Sequence, residues 1–523
     1  MPRIAIYDTT LRDGTQGEGV SFSAEEKLKV ARKLDEFGVA YIEGGWPGSN
    51  PKDVEFFRLA MGVVFKNAKL AAFGSTRRAK LAAADDPQMV KLIEAGTPVV
   101  TIFGKSWDMH VTEVFRIGLD QNLEMIHDSI KYLVDNGKEA IFDAEHFFDG
   151  YKNNPDYAIA ALDAAVCGGA TTLSLCDTNG GTLPWEVSEI VRRVVDHFPD
   201  TAIGMHAHND AGLAIAASVS AIHSGATHVQ GTINGYGERC GNANICAILP
   251  ILELKMGHTC LPDGALENLT ALSRAIDEIA NRIPNDAMPF VGASAFAHKA
   301  GVHVDAVSKN PATYEHTDPE SVGNRRRFLI SELAGSSSVV QKARKFDIDL
   351  TKQSPEVKAV LERVVQLEHE GYSFEDAEAS FELLLKKAMG QYSKLFDLVG
   401  FRLIIEKRGP KEEPITEATL KVAVDGVEAF TVAEGDGPVH ALDNALRLAL
   451  KQFYSEELAK IKLTDYKVRV VNSGEGTAAR VRTIIESRDA NDSWSTVGVS
   501  TNIIEASWSA LADSVEYGLL RHK

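Results

Sequence analysis

Short apolar runs alternate along the first half of the chain with stretches whose apolar residues recur every three or four positions. The short runs predict buried strands, and the periodic stretches predict amphipathic helices, several of which begin at Ser, Asp or Pro and end near Gly. The predicted strands are Ile4–Tyr7, Tyr41–Glu43, Leu70–Phe73, Val99–Phe103, Ala140–Asp143, Thr172–Leu175, Ala202–His206 and His228–Ile233. The predicted helices between them are Ala24–Phe37, Pro87–Ala95, Leu119–Asn136, Pro155–Cys167, Pro184–His197 and Ala211–Ser224.

Eight strands in alternation with helices predict an α/β fold, a (β/α)8 TIM barrel over residues 1–270. The pattern alone also allows a doubly wound sheet. The barrel is favoured because polar residues follow the strands directly, where such barrels place their active sites. Six strand ends share this feature: Asp8 to Gln16, Glu43 to Asn50, Asp143 to His146, Cys176 to Gly180, His206 with His208, and Asn234 to Asn242.

The pattern changes twice beyond the predicted barrel. Residues 271–390 are predicted to form helical connector subdomains, with helices over Pro355–Gly371 and Phe374–Met389. Residues 391–523 carry a duplicated βββα pattern, which predicts a C-terminal α+β domain for regulation, or for dimerisation alone. Its predicted strands are Phe401–Glu406, Ala418–Val424, Ala429–Val432, Lys467–Val471, Ala479–Glu486 and Ser495–Val499, and its helices are Val439–Tyr454 and Asn502–Leu520.

The composition narrows the classes of partner. The 523 residues carry a net charge of −18, which argues against nucleic acid or an anionic membrane as a partner. The N-terminal segment has no apolar signal sequence, and no apolar run reaches membrane-spanning length. The five cysteines show no Cys-x-x-Cys spacing and are interpreted as reduced thiols. We therefore expect a cytoplasmic enzyme.

A metal site is predicted from two distant segments. His206 and His208 lie two residues apart on the predicted seventh strand, so both imidazoles point to one side and can bind one metal ion. A carboxylate such as Asp13 would complete the ligand set and leave positions open for water and substrate. Arg12 beside it offers a fixed cation for an oxyanion. A His-x-His pair alone is more often a satisfied polar pair, so the hypothesis depends on both segments together.

Both segments resemble the signatures of a known family. Leu11-Arg12-Asp13-Gly14-Thr15-Gln16, followed after ten residues by Lys27, resembles its Leu-Arg-Asp-Gly-x-Gln signature. The run from His206 to Gly212 resembles its His-x-His-Asn-Asp-x-Gly signature. The chain is therefore similar to the family of isopropylmalate, homocitrate and citramalate synthases and hydroxymethylglutaryl-CoA lyase, and the resemblance covers essentially the whole chain.

The resemblance implies a divalent metal ion and acetyl-CoA as co-substrate. Mn²⁺ or Mg²⁺ suits the site, and the two imidazoles also leave Zn²⁺ and Co²⁺ open. The implied metal site comprises Asp13, His206 and His208, with Asn242 in its outer sphere or bound through water. The implied substrate-binding residues are Arg12, Gln16 and Thr178.

The resemblance also implies the residues that move protons. His303 would be the base that deprotonates acetyl-CoA, oriented by Glu145, and Tyr314 would bind or orient the acyl group, while Arg12 stabilises the oxyanion. His303 and Tyr314 would act in their own barrel or in that of a neighbouring subunit. His298, five residues before His303, is the alternative base.

Two segments narrow the branch of the family. Tyr7–Ser23 and Tyr41–Asp53 most resemble the longer citramalate synthases. That branch implies pyruvate as acceptor, a place in isoleucine biosynthesis, isoleucine as effector at the C-terminal domain, and a homodimer. The alternative, an isopropylmalate synthase that uses 2-oxoisovalerate in leucine biosynthesis, depends on the size of the acceptor pocket. Its candidate linings are Arg77, Arg78, Phe103 and Asp143.

Two other functions are disfavoured by the sequence. Lyase members of the family lack the extended C-terminal half that this chain has. A sensor built on an inactive barrel would have lost ligands such as Asp13 or His206, and both are present.

Overall fold

The computed structural model describes residues 3–329, 339–340, 343, 350–351, 353–374, 377–407, 409–471, 479–490 and 492–522. The chain divides into two compact units, Met1–Phe296 with Thr317–Arg325, and Ala297–His316 with Arg326–Lys523. No helix within the described ranges combines the length and apolar content that a bilayer crossing requires.

Eight parallel strands close into a barrel in the first unit, which confirms the predicted fold class. The strands are β1 (Ala5–Asp8), β2 (Tyr41–Gly45), β3 (Lys69–Ser75), β4 (Val99–Lys105), β5 (Glu139–Glu145), β6 (Thr172–Asp177), β7 (Ala202–Ala207) and β8 (His228–Gly231). The helices of this unit are α1 (Ala24–Phe37), α2 (Pro51–Ala60), α3 (Pro87–Glu94), α4 (Leu119–Asp135), α5 (Phe147–Asn153), α6 (Pro155–Gly168), α7 (Pro184–His197), α8 (Ala214–His223), α9 (Ile245–Pro250) and α10 (Leu269–Ile279).

Helix α1 shows how local sequence sets these elements. Ser23 accepts a hydrogen bond from the Glu26 backbone N–H at 3.2 Å, and the Glu26 carboxylate accepts one from Ser23 N–H at 2.7 Å. This capping box satisfies two N–H groups that the first turn leaves open. The helix ends at Gly38, whose φ of 99° is left-handed. A Cβ there would lie 2.3 Å from Pro262, so the turn also requires glycine for space.

Five strands run two residues further than their apolar runs predict, to Gly45, Ser75, Lys105, Glu145 and Asp177. The backbone continues to pair with its neighbours there, as in the Lys105–Glu145 register of β4 and β5. Apart from Gly45, the residues at these strand ends have polar side chains, so the apolar pattern ends before the hydrogen bonds do. Strand β8 differs in the opposite direction, because it ends at Gly231 and a 3-10 turn occupies Ile233–Gly235.

The second unit contains two antiparallel three-stranded sheets, each followed by a helix, which confirms the duplicated βββα pattern. Its short parallel strands are β9 (Ala297–His298) and β10 (Arg327–Phe328), and its first helices are α11 (Gly301–Lys309), α12 (Pro355–His369) and α13 (Glu378–Ala388). The repeats comprise β11 (Asp397–Glu406), β12 (Ile415–Val424), β13 (Val427–Gly435), α14 (Pro438–Leu450), α15 (Ser455–Leu458), β14 (Lys462–Val470), β15 (Val481–Arg488), β16 (Ser493–Ser500) and α16 (Ile503–His522).

The predicted boundaries in this unit differ most at the first strand of each repeat. Strand β11 begins at Asp397 rather than Phe401, and β14 begins at Lys462 rather than Lys467. Both are edge strands and most of their residues are exposed, so their sequences lack a regular buried alternation. Helix α13 begins at Glu378 rather than Phe374. Residues 375–376 of that predicted helix lie outside the described residues.

The lysine of the first signature lies in a buried ion pair. Lys27 on α1 contacts the carboxylate of Asp53 on α2 and donates to the Gly44 carbonyl at 3.1 Å. Asp53 also accepts a hydrogen bond from the Trp46 backbone N–H at 2.8 Å. Lys27 and Asp53 are at most 5% exposed. The pair therefore joins two helices to the end of β2, which Trp46 directly follows.

We predict that Lys27→Met lowers the free energy of unfolding by about 3–5 kcal/mol, because it leaves the Asp53 charge buried without a cation. Lys27→Met with Asp53→Asn should recover most of this loss, since the introduced amide oxygen still accepts from Trp46. Denaturant unfolding checks both variants. As a matched control, Glu55→Gln removes the exposed pair with Arg58 on the same helix and should change little. A double variant no more stable than Lys27→Met would contradict this interpretation.

Candidate active site

A cavity of about 260 Å³ opens at the carboxyl ends of the barrel strands. It brings together seven of the predicted site residues, which come from strands far apart in the sequence. These are Arg12, Asp13, Gln16, Glu145, Thr178, His206 and His208. The other lining residues are Trp46, Phe73, Phe103, Asp143, Cys176, Glu238 and Arg239. Arg77 and Arg78, which were candidate linings, border a neighbouring cavity instead.

The three predicted metal ligands converge on one point. Asp13 Oδ2 lies 3.2 Å from His206 Nε2 and 4.0 Å from His208 Nε2, and the two Nε2 atoms are 3.4 Å apart. Donors bound at right angles to one ion at about 2.1 Å would be about 3 Å apart, so this set fits a divalent cation. Among the described residues it is the one cluster of three such groups with ligand atoms this close together.

The surroundings of Asp13 and His208 lower the pKa of both side chains, which favours the deprotonated forms that bind a metal ion. Burial raises the pKa of Asp13, but Arg12 and His206 outweigh it and hold that pKa below its usual range. Burial, with the neighbouring His206, lowers the pKa of His208 to about 4. For His206 burial lowers the pKa, yet the hydrogen bond and charge of Asp13 outweigh burial and raise it. A cation at this point would compete with that proton, so its affinity should fall at acidic pH.

Arg12 is held beside the ligands by acidic and aromatic neighbours. Its Nε donates to the buried Glu43 carboxylate at 2.6 Å, and its Nη1 lies 3.2 Å from Asp13. Its guanidinium carbon is 3.7 Å from the centre of the Phe73 ring. Tyr7 also donates to Glu43, at 2.6 Å. Arg12 therefore lies fixed at the edge of the cavity, next to the three converging ligand atoms.

Asn242, at the end of the glycine-rich loop, positions Asp13 by a hydrogen bond. Its Nδ2 donates to Asp13 Oδ2 at 2.8 Å. The loop passes closely over it, because a Cβ on Gly237 would lie 2.0 Å from Asn242 Oδ1. Arg239 in the same loop makes a two-point ion pair with Asp210 and donates to the Thr178 carbonyl at 2.7 Å. The loop thus connects the ends of three strands around the ligands.

Three further predicted residues line the cavity wall: Thr178, Gln16 and Glu145. The Thr178 hydroxyl accepts from the His146 backbone N–H at 2.9 Å. Glu145 forms an ion pair with Lys105, which sequence analysis did not identify. The signal for Lys105 was its position, the last residue of β4, beside Glu145 in register.

His303 and Tyr314 lie in the second unit, where their rings pack with centroids 4.1 Å apart. Both are accessible, since His303 is exposed and Tyr314 is 48% exposed. His298, the alternative base, instead lies 2.9 Å from the buried Glu315 carboxylate, which also pairs with Arg326. Of the two histidines, His303 is the one presented to solvent.

The polar residues that support the ligands were not predicted from the sequence. Glu43 was noted only as part of a strand end, and Gln230 was hidden inside a predicted strand. Of the aromatic wall formed by Trp46, Phe73 and Phe103, with ring centroids 5.7 Å apart, only Phe103 was a predicted pocket lining. Such contacts depend on which strand faces which across the barrel.

The closed barrel and its polar cavity define the class of protein, an enzyme built on a TIM barrel. The HMGL-like family model matches residues 3–276, more than half of the chain, and the chain belongs to that family. Two further family models match the remainder. The Homocitrate synthase post-HMGL domain-like model matches residues 290–371, and the LeuA allosteric (dimerisation) domain matches residues 375–519.

Full-length relatives agree with this assignment. The (R)-citramalate synthase of Aquifex aeolicus is 53% identical over 519 residues, which cover 99% of this chain and 98% of the relative. That of Geobacter sulfurreducens is 54% identical with the same coverage. A probable 2-isopropylmalate synthase of Methanopyrus kandleri is 31% identical over 98% of each chain.

We predict that Asp13→Asn and His208→Ala each weaken Mn²⁺ binding by at least the roughly 10–100-fold that loss of an outer-sphere partner costs. Each variant removes a ligand atom from a buried three-donor set. Mn²⁺ titration followed by electron paramagnetic resonance measures the affinity. The control is His223→Ala, an exposed histidine at the end of α8, which should bind like the parent. Stoichiometric tight binding by both ligand variants would contradict the metal site.

Proposed function

We propose that this chain condenses acetyl-CoA with pyruvate and hydrolyses the thioester, releasing citramalate and CoA for isoleucine biosynthesis. The observation that carries the proposal is the cavity itself, in which Arg12 lies beside three converging ligand atoms against an aromatic wall. The similarity to (R)-citramalate synthases over the whole chain supports the same reaction. The more distant relative named as an isopropylmalate synthase offers weaker support for the alternative acceptor.

Asp13, His206 and His208 would hold a divalent cation, with Asn242 keeping Asp13 in place. Once bound, the cation would polarise the keto group of the 2-oxoacid. Mn²⁺ and Mg²⁺ are the proposed ions, and Zn²⁺ and Co²⁺ are the alternatives. Thr178 and Gln16 would bind the substrate carboxylate, since both line the cavity. Arg12 would stabilise the oxyanion that develops on the keto oxygen, because Glu43 and Phe73 hold its guanidinium in place.

His303 would take the proton from the methyl group of acetyl-CoA, and Tyr314 would position the acyl group. Their accessibility supports these roles, because a substrate can reach an exposed imidazole and an exposed phenol. Glu145, which forms an ion pair with Lys105 at the cavity wall, keeps the proposed role of orienting His303.

The aromatic wall supports pyruvate as the acceptor. Trp46, Phe73 and Phe103 narrow the cavity next to Arg12, and a pocket wall of rings accommodates a methyl group better than an isopropyl group. Discrimination between such acceptors is worth roughly 10–200-fold per methylene in a hydrophobic pocket.

The C-terminal residues are proposed to form a regulatory and dimerisation domain that binds isoleucine. The match to the LeuA allosteric (dimerisation) domain supports both a dimer and allosteric control, and the effector is our proposal. We propose boundaries of 1–270 for the barrel, 271–390 for the connector carrying His303 and Tyr314, and 391–523 for the C-terminal domain.

Acceptor choice is the first test. CoA release from acetyl-CoA with Mn²⁺ or Mg²⁺ should be fastest with pyruvate, slower with 2-oxoisovalerate and 2-oxoglutarate, and inhibited by isoleucine more than by leucine. Preference for 2-oxoisovalerate would move the enzyme to leucine biosynthesis with the same site. No CoA release with any acceptor would overturn the proposed reaction.

A second test separates the two histidines. His303→Ala should lower kcat by the roughly 10²–10⁴-fold that a general base contributes, with the fold intact because the imidazole is exposed. His298→Ala should mainly lower thermal stability, since it leaves the buried Glu315 with one partner fewer. Turnover by pyruvate-dependent CoA release and unfolding by circular dichroism measure the two effects. The reverse pattern would assign the base to His298.

A further inference from the structure

A buried chain of hydrogen bonds lies beneath the metal ligands and crosses from β5 to β8 to β7. Gln230 Nε2 donates to Asp143 Oδ1 at 2.8 Å, and Gln230 Oε1 lies 2.8 Å from His206 Nδ1. Asp143, Gln230 and His206 are 3%, 0% and 5% exposed, so these contacts are largely shielded from solvent. Asp143 and Gln230 are 87 residues apart and meet only because the barrel closes.

The donor and acceptor properties of the three side chains determine which group donates at each hydrogen bond. An ionised carboxylate only accepts hydrogen bonds, so Gln230 must turn its NH₂ group toward Asp143. Its carbonyl oxygen then faces His206 and can only accept. Nδ1 of His206 therefore carries a proton, and Nε2 is the ring nitrogen left for a cation to bind.

We propose that Asp143 and Gln230 are positioning residues that hold His206 in the tautomer able to bind the cation through Nε2. This inference depends on the proposed metal site and extends it to two residues outside the ligand set. Hydrogen bonding of the second ring nitrogen is a general means of orienting a metal-bound histidine. The two histidines differ here, because Nδ1 of His208 is buried without a hydrogen-bond partner among the described residues. The relay of Asp143 and Gln230 thus acts on one ligand.

Two substitutions of nearly unchanged shape can first abolish and then restore the donor–acceptor order of these hydrogen bonds. In Asp143→Asn the new amide can either donate or accept, so Gln230 can flip and donate to Nδ1, which places the ring proton on Nε2. In Asp143→Asn with Gln230→Glu, the introduced amide donates to the introduced carboxylate, which again can only accept from Nδ1–H. The double variant has the same net charge as the parent.

The test is Mn²⁺ affinity, measured by electron paramagnetic resonance on the full-length chain. The titration is run at mildly alkaline pH, because burial raises the pKa of Asp143 to about 7. Asp143→Asn should bind about 10–100-fold more weakly than the parent, and the double variant should recover most of that loss. The control is Glu139→Gln at the other end of β5, where the carboxylate accepts from Tyr41 at 2.7 Å. It removes a carboxylate from the same strand and should bind Mn²⁺ like the parent.

Two results would overturn the relay. One is an Asp143→Asn variant that binds Mn²⁺ as tightly as the parent, and the other is a double variant that binds no more tightly than Asp143→Asn. If Asp143→Asn does not fold, ¹⁵N shifts of the His206 ring in the metal-free parent at alkaline pH decide instead. A proton on Nδ1 supports the relay, and an Nδ1 without a proton excludes it. Failure of the parent itself to bind Mn²⁺ would overturn the metal site and the relay together.

Discussion

The pairing of β1 with β8 is the constraint on which the site depends. Four residue pairs, from Ala5 with His228 to Asp8 with Gly231, close the barrel. This closure brings the loop after the first strand against the loop after the last one. Asn242 can then donate to Asp13 across 229 residues of sequence. Any change that opened this seam would separate the carboxylate ligand from both histidines, although none of the three would be altered.

Closure also forces charged groups into the barrel interior, where each needs a partner. Glu43 is fully buried and is satisfied by Tyr7, Arg12 and Thr9, which donates at 2.5 Å. The same contacts keep Arg12 rigid at the cavity. Stability and site geometry are therefore coupled in this layer of the barrel, because the groups that neutralise the interior also position side chains that line the cavity.

The architecture was predictable from the sequence, and the candidate ligands were identifiable there, both for physical reasons. Apolar runs mark strands that are buried on both faces, and Asp13, His206 and His208 lie in segments with strong motifs. Lys105 and Gln230 could not be assigned, because their importance comes from partners on other strands, Glu145 and Asp143. The edge strands β11 and β14 were also placed imprecisely, since exposed strands carry little apolar pattern.

The close passage of Gly237 over Asn242 has a consequence for how the chain tolerates change. Gly237 is only partly buried and its neighbour Glu238 is exposed, so accessibility alone would rank this loop among the permissive parts of the surface. A single added methyl group there would nevertheless press on the amide that holds Asp13. Solvent exposure is thus a poor guide to mutational tolerance at the rim of this barrel. Substitutions in this loop should instead be better tolerated the farther they lie from Asn242.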